Sequence, residues 1–199
     1  MRPSIIYLQR ISQPGKRFPR QLKFRIIGQS HVIFGFSNLN VPLERPDRQH
    51  CQAAAGYVEL GMFLEANTEL DKIDPFNRAA PEVLALRIEI YRGLAKWELM
   101  QELAQRLTDY QPDDLQWTMS LAYATRRTNS IEAAKEVLLK AEPKFPNEVA
   151  IKYNLACYFC QTGNIQKAKN YLEKAFEINP NCRIAALEDK DLKLLWDSL

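Results

Sequence analysis

The sequence is poor in the features from which most enzyme sites are built. Two histidines, His31 and His50, in 199 residues leave little for general acid–base chemistry. Glycine occurs only seven times and nowhere as a phosphate-cradling loop, and neither a nucleophile elbow nor a metalloprotease helix is present. No apolar run approaches the ~18 residues of a membrane helix, and the stretch Ile5 to Leu8 is far too short for a signal-peptide core. These absences lead us to expect a cytoplasmic protein without catalytic residues, cofactor or metal.

Cysteine is sparse too. Cys51, Cys157, Cys160 and Cys182 lack the dense spacing of a secreted disulfide scaffold and read as free thiols in a reducing compartment. Cys157 and Cys160 formally make a CxxC. A zinc site would want two more ligands, yet there is no second CxxC and both histidines fall at the other end of the chain. An activated redox thiol would want a helix N-terminus, whereas these two sit within and late in a helix. Two small packing or groove-lining residues are the simpler reading.

What the chain does have is a hydrophobic content of 46%, ample for a core, and a lopsided charge. Residues 1–46 carry eight Lys or Arg against Glu44 alone, a net of +7, while residues 47–199 carry nineteen against twenty-three, a net of −4. The basic arm is Arg-rich and acid-poor, as a transit peptide would be, but Pro3, Pro14, Pro19, Pro42 and Pro46 deny it a sustained amphipathic helix. A hairpin of residues 22–27 and 32–36 across Gly28-Gln29-Ser30 would be marginal on its own, so a largely disordered arm is expected.

Beyond the arm a period of 34 residues appears. Pro112, Pro146 and Pro180 keep that interval, as do Ala134 with Ala168, Ala141 with Ala175, Leu121 with Leu155 and Leu138 with Leu172. The units are 47–80, 81–114, 115–148 and 149–182, with a tail at 183–199. In the last, Val149 to Phe159 and Ile165 to Ile178 read as helices, Thr162-Gly163-Asn164 as the turn, and Pro180 as the stop.

The segment AIKYNLACYFCQTGNIQKAKNYLEKAFEINPN resembles a tetratricopeptide repeat. Counting Val149 as position 1, Leu155 stands at 7, Ala156 at 8, Phe159 at 11, Gly163 at 15, Ala168 at 20, Ala175 at 27 and Pro180 at 32. The third unit resembles it through Leu121, Ala122, Ala134, Leu138, Ala141 and Pro146, although Pro143 should end its second helix early. The second departs from it with Arg87, Ile88 and Met100 at positions 7, 8 and 20, and the first has Arg78 in place of proline. The resemblance implies an all-α, right-handed superhelical solenoid of four antiparallel helix pairs. Ile184, Leu187, Leu192, Leu195, Trp196 and Leu199 offer a stripe for a capping helix at 183–199, and the ending LEDKDLKLLWDSL resembles those of bacterial repeat proteins.

At about 100° per residue, positions 2, 5, 9, 12 and 13 of each first helix share one side, which in the family lines a concave groove for partner peptides. Carried over, this side holds Arg92, Met119, Tyr123, Arg126, Arg127, Tyr153 and Cys157. Arginine pairs bidentately with carboxylate and aromatic rings add contact area at low entropic cost, so the expected partner is another protein or a peptide, acidic in part, with no small-molecule substrate. The competing reading is a solvated face where Arg92 and Arg126 pair with Glu89. The lysine and asparagine clamp with which some family members hold chaperone tails is absent. Two rival functions stay open: nucleic-acid or acidic-surface binding through the basic arm, and thiol redox or metal chemistry at the CxxC.

Overall fold

The computed structural model describes residues 43–198, so the basic arm through residue 42, and with it the expectation of disorder or a marginal hairpin, lies outside the described residues. Among the described residues there is no strand. The helices are α1 (Arg45–Glu59), α2 (Phe63–Asp71), α3 (Pro81–Gly93), α4 (Trp97–Tyr110), α5 (Leu115–Thr128), α6 (Ile131–Ala141), α7 (Val149–Gln161), α8 (Ile165–Ile178) and α9 (Cys182–Glu188). A 3₁₀ segment follows at Lys190–Ser198. The helices pair in chain order, α1 with α2 through α7 with α8, and each pair stacks on the next to form a solenoid.

Local chemistry explains where these helices start and stop. Pro46 opens α1, because proline lacks an N–H that the first turn would leave unpaired anyway; the helix thus begins two residues ahead of the unit read from the period. Side chains of Asp114, Ser130 and Asn164 accept from Gln116 N, Ala133 N and Lys167 N at 2.9, 3.0 and 3.2 Å, capping α5, α6 and α8. α6 stops at Ala141, ahead of Pro143 as expected. The turns at position 15 of the first, second and fourth units fall on Gly61, Ala95 and Gly163, with φ of 73°, 55° and 80°. Glycine suits that left-handed geometry; Ala95 adopts it at a steric cost.

Small residues govern how closely the partners of a pair approach. Ala54 with Ala66, Ala122 with Ala134, and Ala156 with Ala168, at positions 8 and 20, are all wholly or almost wholly buried. In the second unit Ile88 and Met100 hold those places, also without exposure, and α3 and α4 approach each other less intimately than the other pairs do. Larger side chains at the crossing are the physical reason. Arg87, at the unit's unusual position 7, reaches back to α2 and binds Asp71 at 2.6 Å and Asn67 at 2.8 Å.

The C-terminal tail is not one continuous helix. α9 ends at Glu188, the chain turns at Asp189, and the 3₁₀ segment runs back over α7. The expected stripe therefore splits: Leu192 and Leu195 have no exposed surface, whereas Ile184 and Leu187 are largely open to solvent. A stripe drawn at 3.6 residues per turn fails once the helix breaks.

Candidate functional site: the concave groove

The tetratricopeptide resemblance assigns the first helices α1, α3, α5 and α7 to the inner side of the solenoid. Six of the seven expected groove residues fall into three groups, and Met119 stands apart. Arg126, Tyr153 and Cys157 meet beneath the 3₁₀ segment. Arg126 Nη1 donates to Asp191 Oδ2 at 2.6 Å and its Nη2 to Gln161 Oε1 at 3.2 Å, while Gln161 Nε2 reaches the other Asp191 oxygen at 2.9 Å. The Tyr153 hydroxyl donates to Asp189 Oδ2 at 3.1 Å, with Cys157 Sγ 3.7 Å from the same oxygen. Both Arg126 and Asp191 side chains are only 6% exposed. Arg126 also lies 5.4 Å over the Tyr158 ring.

A second group gathers Tyr123 and Arg127 around Trp97. The Arg127 guanidinium lies 4.7 Å over Tyr123 and 5.0 Å over Trp97, and donates to the Tyr123 hydroxyl at 3.0 Å; the two rings meet edge to face at 5.7 Å. These side chains are half-buried. Arg92 forms the third group by pairing with Glu89 on the next inward turn of α3. Met119 is buried in the core with α7 rather than presented to solvent. Of the ion pairs expected of a merely solvated face, Arg92 with Glu89 is present, whereas Arg126 takes Asp191 instead.

Electrostatics follow this packing. Burial works against the Arg126 charge, but the bond and charge of Asp191 outweigh it and raise its pKa further. Burial pushes the Asp189 carboxyl above its ordinary 3.8, aided by the neighbouring Asp191 charge, against the opposing bonds from Asp191 N, Tyr153 and Cys157. Burial likewise drives the Cys157 thiol well above the usual range, with Asp189 and Asp191 adding to it, and raises Cys160. Neither thiol is primed as a nucleophile. Among the described residues no grouping of three or more His, Cys, Asp or Glu could hold a metal ion, and no helix is long and apolar enough to cross a membrane.

Residues 149–182 match the tetratricopeptide repeat family, the same unit in which α7 and α8 pack through Ala156 and Ala168. Residues 149–182 are thus a tetratricopeptide repeat. The repeat fold extends well beyond that one unit. A solved structure of "MamA AMB-1" superposes over 76% of this chain and 81% of its own, with a TM-score of 0.57 and 14% identity. One of "MamA MSR-1" covers 76% and 85%, with a TM-score of 0.56 and 15% identity. At such identities the likeness is one of fold. Among curated proteins no sequence matches this repeat protein.

Three participants were not singled out from the sequence. Trp97 opens α4, a second helix, so counting positions on first helices passes it over. Asp189 and Asp191 sit in the tail, where the sequence reading extends only to the apolar stripe of a capping helix. The available signal was the acidic pair itself, two carboxylates next to Leu192 in a chain whose inner face carries arginines.

Proposed function

We propose that this chain is a protein–protein interaction scaffold that takes a partner segment, acidic in part, along its concave face. The observation that carries the reading is the pairing of Arg126 with an acidic, leucine-bearing stretch of the chain's own tail. The inner face thus has the chemistry to hold such a segment. The part of the face beside the tail offers Arg92 with Glu89, and the Arg127, Tyr123 and Trp97 stack, as contact residues. Arginine and aromatic side chains are the ones most often found at the energetic centre of interfaces. No catalytic step or small-molecule substrate belongs to this reading, and a cytoplasmic location accords with four free, buried cysteines.

The test is capture of partners from a bacterial lysate with the full chain, repeated with Arg127→Ala and with Lys167→Ala, a control on α8 away from the inner face. Loss of a partner with Arg127→Ala, by roughly 1 to 3 kcal/mol in a subsequent titration, supports the groove. Equal capture by both variants would remove it from consideration. Salt-sensitive nucleic acid that disappears when residues 1–46 are deleted would favour the basic arm instead.

A further inference from the structure

We propose that residues 189–196 are a tethered, displaceable occupant of the inner groove, and that the α5–α7 site beneath them receives segments of acid-x-acid-leucine chemistry from another protein. The identity of that incoming partner rests on the scaffold reading above. Detachment of the tail does not.

The tail sits as a ligand would. Its contacts come from Arg126, Tyr153, Cys157 and Gln161, residues on the side of α5 and α7 that faces inward. Asp191 supplies the carboxylate to Arg126, and Leu192 and Leu195 enter the apolar cluster formed by α7. The outer side of the same segment is open: Lys193 is exposed and Leu194 is 69% exposed. The inward face of α5 and α7 holds most of it, and α9 adds a flank contact through Trp196, whose Nε1 donates to Ala186 O at 3.1 Å.

Three features make that hold reversible. The segment is 3₁₀, whose i→i+3 bonds have poorer geometry than α-helical ones and seldom sustain long runs. Its anchor is a buried ion pair, which confers specificity more surely than stability because both charges lose water. Finally, Asp189 is 4% exposed and makes no ion pair among the described residues. The titratable groups facing it are Tyr153 and Cys157 from α7 and Asp191 from its own segment. An ionised Asp189 is relieved by leaving this site. Docking is therefore weakest above the raised pKa of Asp189 and tightens as pH falls through it towards 3.8.

Hydrogen exchange by mass spectrometry on the unmodified full chain tests detachment directly. Amides of 189–196 should exchange at least about tenfold faster than those of α7, after correction for intrinsic rates, with the gap narrowing as pH is lowered. A labelled peptide LEDKDLKLLWDSL should then bind the full-length Asp191→Ala/Leu192→Ala variant about a hundredfold more tightly than the unmodified chain, and adding Arg126→Ala should abolish that gain. Exchange of the tail in one step with α7 overturns the proposal, as do equal peptide affinities. Failure of the double variant to fold also overturns it, since a displaceable segment is not needed for folding. A doubled mass in light scattering would make the occupant the tail of a second copy and overturn it as well. Failure to capture any partner would sink the scaffold reading while leaving the exchange result standing.

Discussion

α1 and α7 occupy the same place in their repeats, yet their surroundings are opposite. From Val149 to Cys160 every residue of α7 is buried, including Lys152 and Asn154, whereas α1 buries only Asp47, Cys51 and Ala54. Part of the difference lies in the face each turns to its partner helix, where α7 buries Leu155, Ala156 and Phe159 while α1 buries Ala54, half-buries Tyr57 and leaves Ala53 exposed. α7 has α5 and α6 on one flank, α8 on another, and the tail across its inner side; even its lysine is held by Glu142, which also accepts from the Tyr171 hydroxyl at 2.8 Å. Among the described residues, α1 is covered by α2 and α3 alone. Asp47 turns its carboxylate to Asp74 N and to Asn77, at 3.1 and 2.6 Å, and these bonds, Asn77 first, hold its pKa below the usual value. How much of a first helix is left open to a partner thus depends on what packs over it as well as on its place in the repeat.

The sharpest way to break this contrast is to remove the clamp between tail and groove. Arg126→Ala strands Asp191 in a site where both partners are almost fully buried, and should cost about 3 kcal/mol in denaturant unfolding. Arg106→Ala removes an exposed i,i+4 pair with Glu102 and should cost no more than about 0.5 kcal/mol. Similar losses for both would mean that the ion pair does not hold the covered half closed. The apolar replacement Arg126→Met/Asp191→Leu should recover part of the loss, because neither charge is then left buried alone.

The crossing of each helix pair offers a second comparison. Met100→Ala, where large side chains fill the α3–α4 crossing, should leave a cavity and cost about 2 to 5 kcal/mol. Ala168→Leu is the converse change at the same repeat position between α7 and α8. It should cost about 1 to 3 kcal/mol through overpacking, because Ala156 opposite it is also fully buried. Thermal melts that leave Ala168→Leu unaffected would show that the tight crossing is not what sets the separation of α7 and α8.

Much of this was legible in the sequence. The recurrence of alanine and proline every 34 residues gave the helix pairs, because a close crossing needs a small side chain and a helix end tolerates proline. The same angular arithmetic brought Arg126, Tyr153 and Cys157 to one side before any contact was known. The tail was misread for a physical reason. Spacing alone cannot say where a helix breaks, and Asp189, which accepts from Asp191 N at 3.0 Å, offers the backbone a local turn that competes with the helix. Nor does periodicity along first helices bring in Trp97, whose contact with Arg127 crosses between units. The tail's role as occupant came from pairings 65 residues apart, as between Arg126 and Asp191, a separation at which local pattern carries no information.

The smallest expected effect concerns the turns that set the spacing of each pair. Gly61, Ala95 and Gly163 hold the same place with positive φ, but only Ala95 carries a side chain there, and it does so at the loosest of the four crossings. Its Cβ crowds the following carbonyl in this conformation, while a glycine would relieve the crowding at the expense of a more flexible unfolded chain. The first effect is the larger at φ of 55°, so Ala95→Gly should stabilise the protein by up to about 1 kcal/mol. Gly163→Ala should destabilise it by about 1 kcal/mol, although an added Cβ would meet no atom within 4 Å, because the penalty is one of backbone conformation rather than space. Opposite signs in paired thermal melts would locate the strain in the α3–α4 turn. A destabilising Ala95→Gly would instead show that entropy of the unfolded chain outweighs it, and that the looser crossing of the second unit owes nothing to its turn.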